Sequence, residues 1–80
     1  MRTNAKIAFR MSTPGDVTLD LFDATGRRVR NLVSGTLTAG AHEVEWDGRD
    51  DGGSDLPQGV YFYRLRMGGV EESSRIVRTP

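Results

Sequence analysis

Apolar and polar residues alternate along most of this chain with the period of two that marks half-buried β-strands, and no window of about eleven residues or more keeps a helical period. Ala5, Ile7, Phe9 and Met11 fall on one face of a first strand, with Lys6, Ala8 and Arg10 on the other. Ser12-Thr13-Pro14-Gly15 breaks the run. From Asp16 the alternation resumes, with Val17, Leu19 and Leu21 inward and Thr18, Asp20 and Phe22 outward. Asp23-Ala24-Thr25-Gly26 reads as a hairpin turn in which Gly26 takes a positive φ. In the run from Arg27, Val29 and Val33 share a face while Leu32 has the opposite parity, which predicts a bulge or strand end near Asn31. Ser34-Gly35 is expected to turn the chain, Leu37 to act as a single apolar anchor, and Ala39-Gly40 to turn the chain again.

His42, Val44 and Trp46 then share a face opposite Glu43 and Glu45. The longest polar loop, 47–58, ends in Leu56-Pro57. Gly59 to Met67 is the most β-prone stretch and is apolar on both faces through Tyr63, which predicts a central strand. Gly68-Gly69 is a two-residue hairpin turn, and Val70 to Val77 returns as the last strand. Turn signals about every 8–12 residues point to an all-β, two-sheet antiparallel sandwich of about seven strands. Phe9, Leu19, Leu21, Val29, Val44, Trp46, Tyr61, Tyr63 and Leu65 are the expected core. No internal repeat or second domain is visible, so residues 1–80 read as one domain.

Composition narrows the function classes. Eighty residues bury only about 60–65% of their unfolded surface, so the core is thin. Eleven basic and eleven acidic side chains cancel, and no global field points to nucleic acid or an anionic membrane. The absence of cysteine removes disulfides, thiolate metal sites and a thiol nucleophile. No apolar run approaches the roughly 20 residues of a membrane span, and no signal-peptide pattern opens the sequence.

Several spaced segments agree in order with one family. Val17-Thr18-Leu19-Asp20-Leu21-Phe22-Asp23-Ala24-Thr25-Gly26-Arg27-Arg28-Val29 resembles its V-x-L-x-[IV]-[YF]-D-x-x-G-R-x-V segment. The match continues through Leu32-Val33, Leu37, Ala39-Gly40, His42 and Trp46-Asp47-Gly48-Arg49-Asp50, and closes with Gly59-Val60-Tyr61-Phe62-Tyr63-Arg64-Leu65. The chain therefore resembles the FlgD-like immunoglobulin-like domain over about residues 7–77, and is similar to the C-terminal sorting domains of secreted bacterial proteins. The resemblance implies an immunoglobulin/fibronectin-III-like sandwich. Such modules usually follow an Asn-Pro linker, where this sequence has Thr3-Asn4-Ala5-Lys6, so the chain is expected to be a domain of a longer protein. Trp46-Asp47-Gly48-Arg49-Asp50-Asp51-Gly52 resembles the hook-cap form of the loop, which typical sorting domains often shorten.

Candidate chemistry is sparse. His42 is the only histidine and is expected to bond backbone at the rim of the sandwich, not to act as a base. Asp47, Asp50, Asp51 and Asp55 crowd one loop and are the ligands to test for a weak Ca²⁺ site, although Arg49 stands where an EF-hand would place a ligand and no bidentate Glu follows. Turn formation and solvation account for the same residues. Arg28 and Arg30 are expected to share one strand face and Arg27 the other, with Asp20 or Glu45 as cross-strand partners, or with an acidic protein partner. Arg2 and Arg10 lie elsewhere. Phe22 and one of Phe62 and Tyr63 are the aromatics expected at the surface, which keeps a carbohydrate-binding role as an alternative. The first and last strands are expected to leave open edges guarded by Lys6, Arg75 and Arg78 and able to accept a partner strand.

No cofactor and no enzymatic constellation emerges. The leading expectation is a non-enzymatic C-terminal module of a secreted or surface-assembled bacterial protein, extracellular or at the cell surface, acting in protein docking, assembly or sorting. The alternatives are a carbohydrate-binding accessory module of a secreted hydrolase, a flagellar hook-cap domain and a weak Ca²⁺-binding module.

Overall fold

The computed structural model describes residues 5–78, so Arg2 and the Thr3-Asn4 segment where a linker is expected lie outside the described residues. Six strands follow in order: β1 (Ala5–Met11), β2 (Gly15–Phe22), β3 (Arg28–Leu37), β4 (Gly40–Trp46), β5 (Gly59–Met67) and β6 (Val70–Arg78). β1 and β4 pair as one layer, and the second layer runs β3-β2-β5-β6 with every pair antiparallel. The all-β immunoglobulin-like sandwich expected from the sequence is the architecture present. β2 and β5 are the interior strands of the larger layer, as the apolar-on-both-faces pattern of β5 implies.

The expected turn at Ser34-Gly35 is absent. Both residues continue β3, paired with Thr18 and Val17. The cause lies in β2, which reaches back to Gly15 and offers Leu37 a partner, so the backbone groups of residues 34–37 are satisfied by staying extended. With that turn gone the described residues form six strands and not about seven.

The bulge does exist, and there are two of them. Val33 pairs with Leu19 but Asn31 with Asp20, leaving Leu32 as an extra residue; Arg30 pairs with Leu21 but Arg28 with Phe22, leaving Val29 as another. Each extra residue turns its side chain into the core, so Val29, Leu32 and Val33 all pack inward despite their mixed parity. The hairpin at Gly68-Gly69 has positive φ at both positions (54° and 81°), the geometry of a type I′ turn.

The core has two parts. Ile7, Phe9, Met11, Val17, Leu19 and Leu65 form one cluster; Leu21, Val29, Trp46 and Tyr61 form the other. Tyr63 and Ile76 are half-buried and touch both clusters, while Val44 is half-buried beside the first. Trp46 and Tyr61 meet edge to face with centroids 5.2 Å apart. Each such buried side chain contributes about 1.5–3 kcal/mol by leaving water.

Asp20 departs from the outward, solvated position expected for it. It occupies the outer face but is only 6% exposed, because β2 is interior and its neighbours close over it. The Asn31 side-chain amide donates to its carboxylate at 2.8 Å and Arg28 lies 3.7 Å away, so the charge is compensated where it is buried.

Candidate functional site

The 47–58 loop covers the Trp46 end of the sandwich and is held by residues from four strands. On β4, the Trp46 indole N–H donates to the Arg49 carbonyl at 3.0 Å. From β5, the Tyr61 hydroxyl donates to the Pro57 carbonyl at 2.6 Å. From β6, Arg78 lies over the Trp46 ring at 5.8 Å and donates to the carbonyls of Gly48 and Leu56. Gly48 has a φ of 80°, and a Cβ there would lie 2.5 Å from the Arg78 guanidinium. The positive φ favours glycine at that point, and a side chain there would also push the Arg78 guanidinium from its place.

β3 supplies the fourth attachment through its bulge. The Asp51 N–H donates to the Val29 carbonyl at 3.0 Å, and the Asp51 carboxylate accepts from the Asn31 N–H at 2.9 Å. An extra strand residue leaves backbone groups outside the ladder, and here the loop takes them up. Arg30 reinforces the contact. Its guanidinium donates to the Arg49 carbonyl at 3.1 Å and the Asp50 carbonyl at 3.3 Å, and lies 3.4 Å from Asp47 and 4.0 Å from Asp51.

The four loop carboxylates therefore face inward-directed donors. Asp47 accepts from the Arg49 N–H at 3.1 Å, Asp50 from the N–H groups of Gly52 and Ser54 at 3.0 Å each, and Asp55 lies 3.5 Å from Arg49. Together with Asp51 on Asn31, this is the pattern of Asx turns and ion pairs. Among the described residues no three His, Asp or Glu side chains converge on a point that could hold a metal ion.

His42 sits where the sequence placed it, at the rim. Its Nε2 is 2.7 Å from the Thr38 carbonyl, so that nitrogen is the donor, and its ring stacks on Phe9 with centroids 5.6 Å apart. Among the described residues, the hydrogen-bond partner given to its ring is that backbone carbonyl and not a nucleophile or carboxylate.

Arg28 and Arg30 do not share a face as expected. The Val29 bulge separates them, sending Arg28 to Asp20 on the outer face and Arg30 to the loop. Arg27 lies 3.8 Å from Asp23. Asp23 in turn accepts from the Thr25 hydroxyl and from the N–H groups of Thr25 and Arg27. Those bonds, the Thr25 hydroxyl first, hold its carboxyl below the ordinary value of 3.8.

Two other surfaces bear on function. On the outer face of the larger sheet Phe62 is 41% exposed, whereas Phe22 is half-buried beneath the Arg64 guanidinium, 4.9 Å from its ring. Trp46 and Tyr61 are buried, and Tyr63 is half-buried against the core. Open strand edges occur on β1, β4, β3 and β6, two more than expected, because the smaller layer has only two strands. Lys6 and Glu43 guard that layer, 4.0 Å apart.

The sequence reading missed Arg30, Asn31 and Arg78 as the residues that fasten the loop. The signal for the first two was present, since a bulge near Asn31 implies unladdered backbone groups that something must satisfy.

Comparison with known proteins converges on one group. The family model described as "FlgD Ig-like domain" matches residues 2–68. The chain is 42% identical over 52 residues to the basal-body rod modification protein FlgD of Salmonella typhimurium, covering 64% of this chain and 22% of that protein. It is 44% identical over 45 residues to the protein of the same name from Escherichia coli K12, covering 56% of this chain and 20% of that one. The chain thus spans about a fifth of the length of the curated relatives it matches. The crystal structure of FlgD from P. aeruginosa superposes with a TM-score of 0.73 at 22% identity, over 91% of this chain and 58% of that one, a likeness of fold.

These matches correct the expected extracellular or cell-surface location. The relatives are named for the flagellar basal body and not for secreted or surface proteins, and a sandwich fold carries no address of its own.

Proposed function

Because the chain belongs to the FlgD Ig-like domain family, we propose that it is a non-enzymatic module of a flagellar assembly protein of the hook-cap kind, working by docking onto other proteins. The observation that carries this reading is the 42% identity over 52 residues, 64% of this chain, to a basal-body rod modification protein. The leading expectation from the sequence, a C-terminal module of a secreted or surface-assembled protein, has no comparable support, and neither has a carbohydrate-binding module of a secreted hydrolase. The chemistry agrees with a structural role: its lone histidine is bonded to a carbonyl and its loop carboxylates are occupied by internal donors. The 80 residues act as one domain of a larger protein, with the 47–58 loop fastened to the sandwich and a sheet face as its working surface.

A domain exchange tests the reading. This chain replaces the matching segment of the Salmonella FlgD, and swimming is scored in a strain lacking its own copy. Restored motility is the expected result, with an unrelated immunoglobulin-like sandwich in the same place failing to restore it. A chimera that accumulates to normal levels yet builds no flagella would overturn the proposal.

A further inference from the structure

We propose that the Phe22–Phe62 end of the outer face of the larger sheet is the docking surface, and that its occupant is an acidic segment of a protein partner carrying aliphatic or aromatic side chains. The inference rests on the docking reading above and gives it a location. Strand register builds the apolar part: Phe22 on β2 stands directly opposite Phe62 on β5, and Val60 on β5 opposite Val77 on β6. Val60, Phe62 and Val77 are 37%, 41% and 56% exposed. Directly opposed residues share a sheet face, so these positions form one strip across three strands. A depression of about 400 Å³ beside it is lined by Phe22, Ala24, Phe62, Arg64 and Ser73.

Charge selects the occupant. Arg75 stands opposite Phe62 and the Arg64 guanidinium lies over the Phe22 ring, while Arg28, opposite Phe22, is paired with Asp20 at 3.7 Å. The nearby carboxylates are already committed: Asp20 is buried against Asn31, Asp23 accepts the N–H groups of its own turn, and Glu71 pairs with Arg66 at 3.0 Å. A carboxylate is the acceptor whose geometry matches a guanidinium fork, and Arg75 presents an exposed one on this face. Rings and aliphatics flanked by arginines suit a segment that brings both apolar side chains and carboxylates.

The probe is a short synthetic peptide alternating glutamate with leucine and phenylalanine, compared with the same peptide bearing lysine at every glutamate. Backbone amide shifts of the isotope-labelled chain report where each binds. The acidic peptide is expected to shift Phe22, Phe62 and Ser73 saturably. Arg75→Glu, an exposed change that spares the core, is expected to weaken binding about tenfold, as is Phe62→Ser. Shifts centred on β1, β4 or the 47–58 loop would overturn the proposal. So would an equal response to the lysine peptide, or saturation of these residues by cello-oligosaccharide in place of peptide. The motility chimera separates the two readings. Peptide bound on this face beside a non-motile chimera removes the flagellar role and leaves the surface; a motile chimera indifferent to both substitutions removes the surface and leaves the role.

Discussion

At the scale of single residues, Trp46 joins the packing to the loop. It is 1% exposed, meets Tyr61 edge to face, donates its indole N–H to Arg49 and carries Arg78 over its ring. Trp46→Ala is expected to cost about 3–5 kcal/mol, a large share of the stability of so small a domain, and to show as a lowered urea midpoint. A soluble Trp46→Ala variant with an unchanged midpoint would contradict the packing. Asp23 gives the complementary electrostatic case. Its carboxyl is held below 3.8 in the fold, so the bonds it accepts stabilise the hairpin above that value. That contribution disappears as pH falls through the lower folded value. The difference in thermal midpoint between wild type and Asp23→Asn is therefore expected to be present at neutral pH and to close in acid. A difference that stays constant from pH 6 to pH 2 would show that the turn does not depend on the ionised carboxylate.

At the scale of elements, the 47–58 loop is a fixed structure built from groups that composition alone makes look like a cation site. Its carboxylates are taken by the N–H groups of Asn31, Arg49, Gly52 and Ser54 and by Arg30 and Arg49. Millimolar Ca²⁺ is accordingly expected to leave the melting temperature where EDTA leaves it, since a bound ion would raise it by mass action. A rise of several degrees would assign the loop a metal after all. The strands themselves were legible because period-two alternation records burial directly: β1, β2, β4 and β5 lie where the pattern puts them. Leu32, out of parity with its neighbours, announced the bulge. What alternation does not record is how far a partner strand reaches. Ser34-Gly35 has turn chemistry, yet Thr18 and Val17 hold it in β3. The burial of Asp20 escaped for a similar reason, because it depends on β2 being flanked on both sides. Arg78 and Gly48 were invisible as a pair, their meeting over Trp46 being set only by tertiary closure.

At the scale of the whole molecule, three of the five connections pass between the two layers and two are hairpins within the larger one. The long-range register also brings the two extremities of the described chain together. Ala5 pairs with Trp46 across β1 and β4, and Arg78 lies over the same indole. A circular permutant that links these extremities through a few glycines and serines, and opens at Gly68-Gly69, is expected to unfold in one transition with the parent's tryptophan emission. Loss of that transition would mean the two points are not neighbours in solution. The six strands therefore begin and finish at one pole of the sandwich, which makes that pole a single knot of packing through which both ends are anchored.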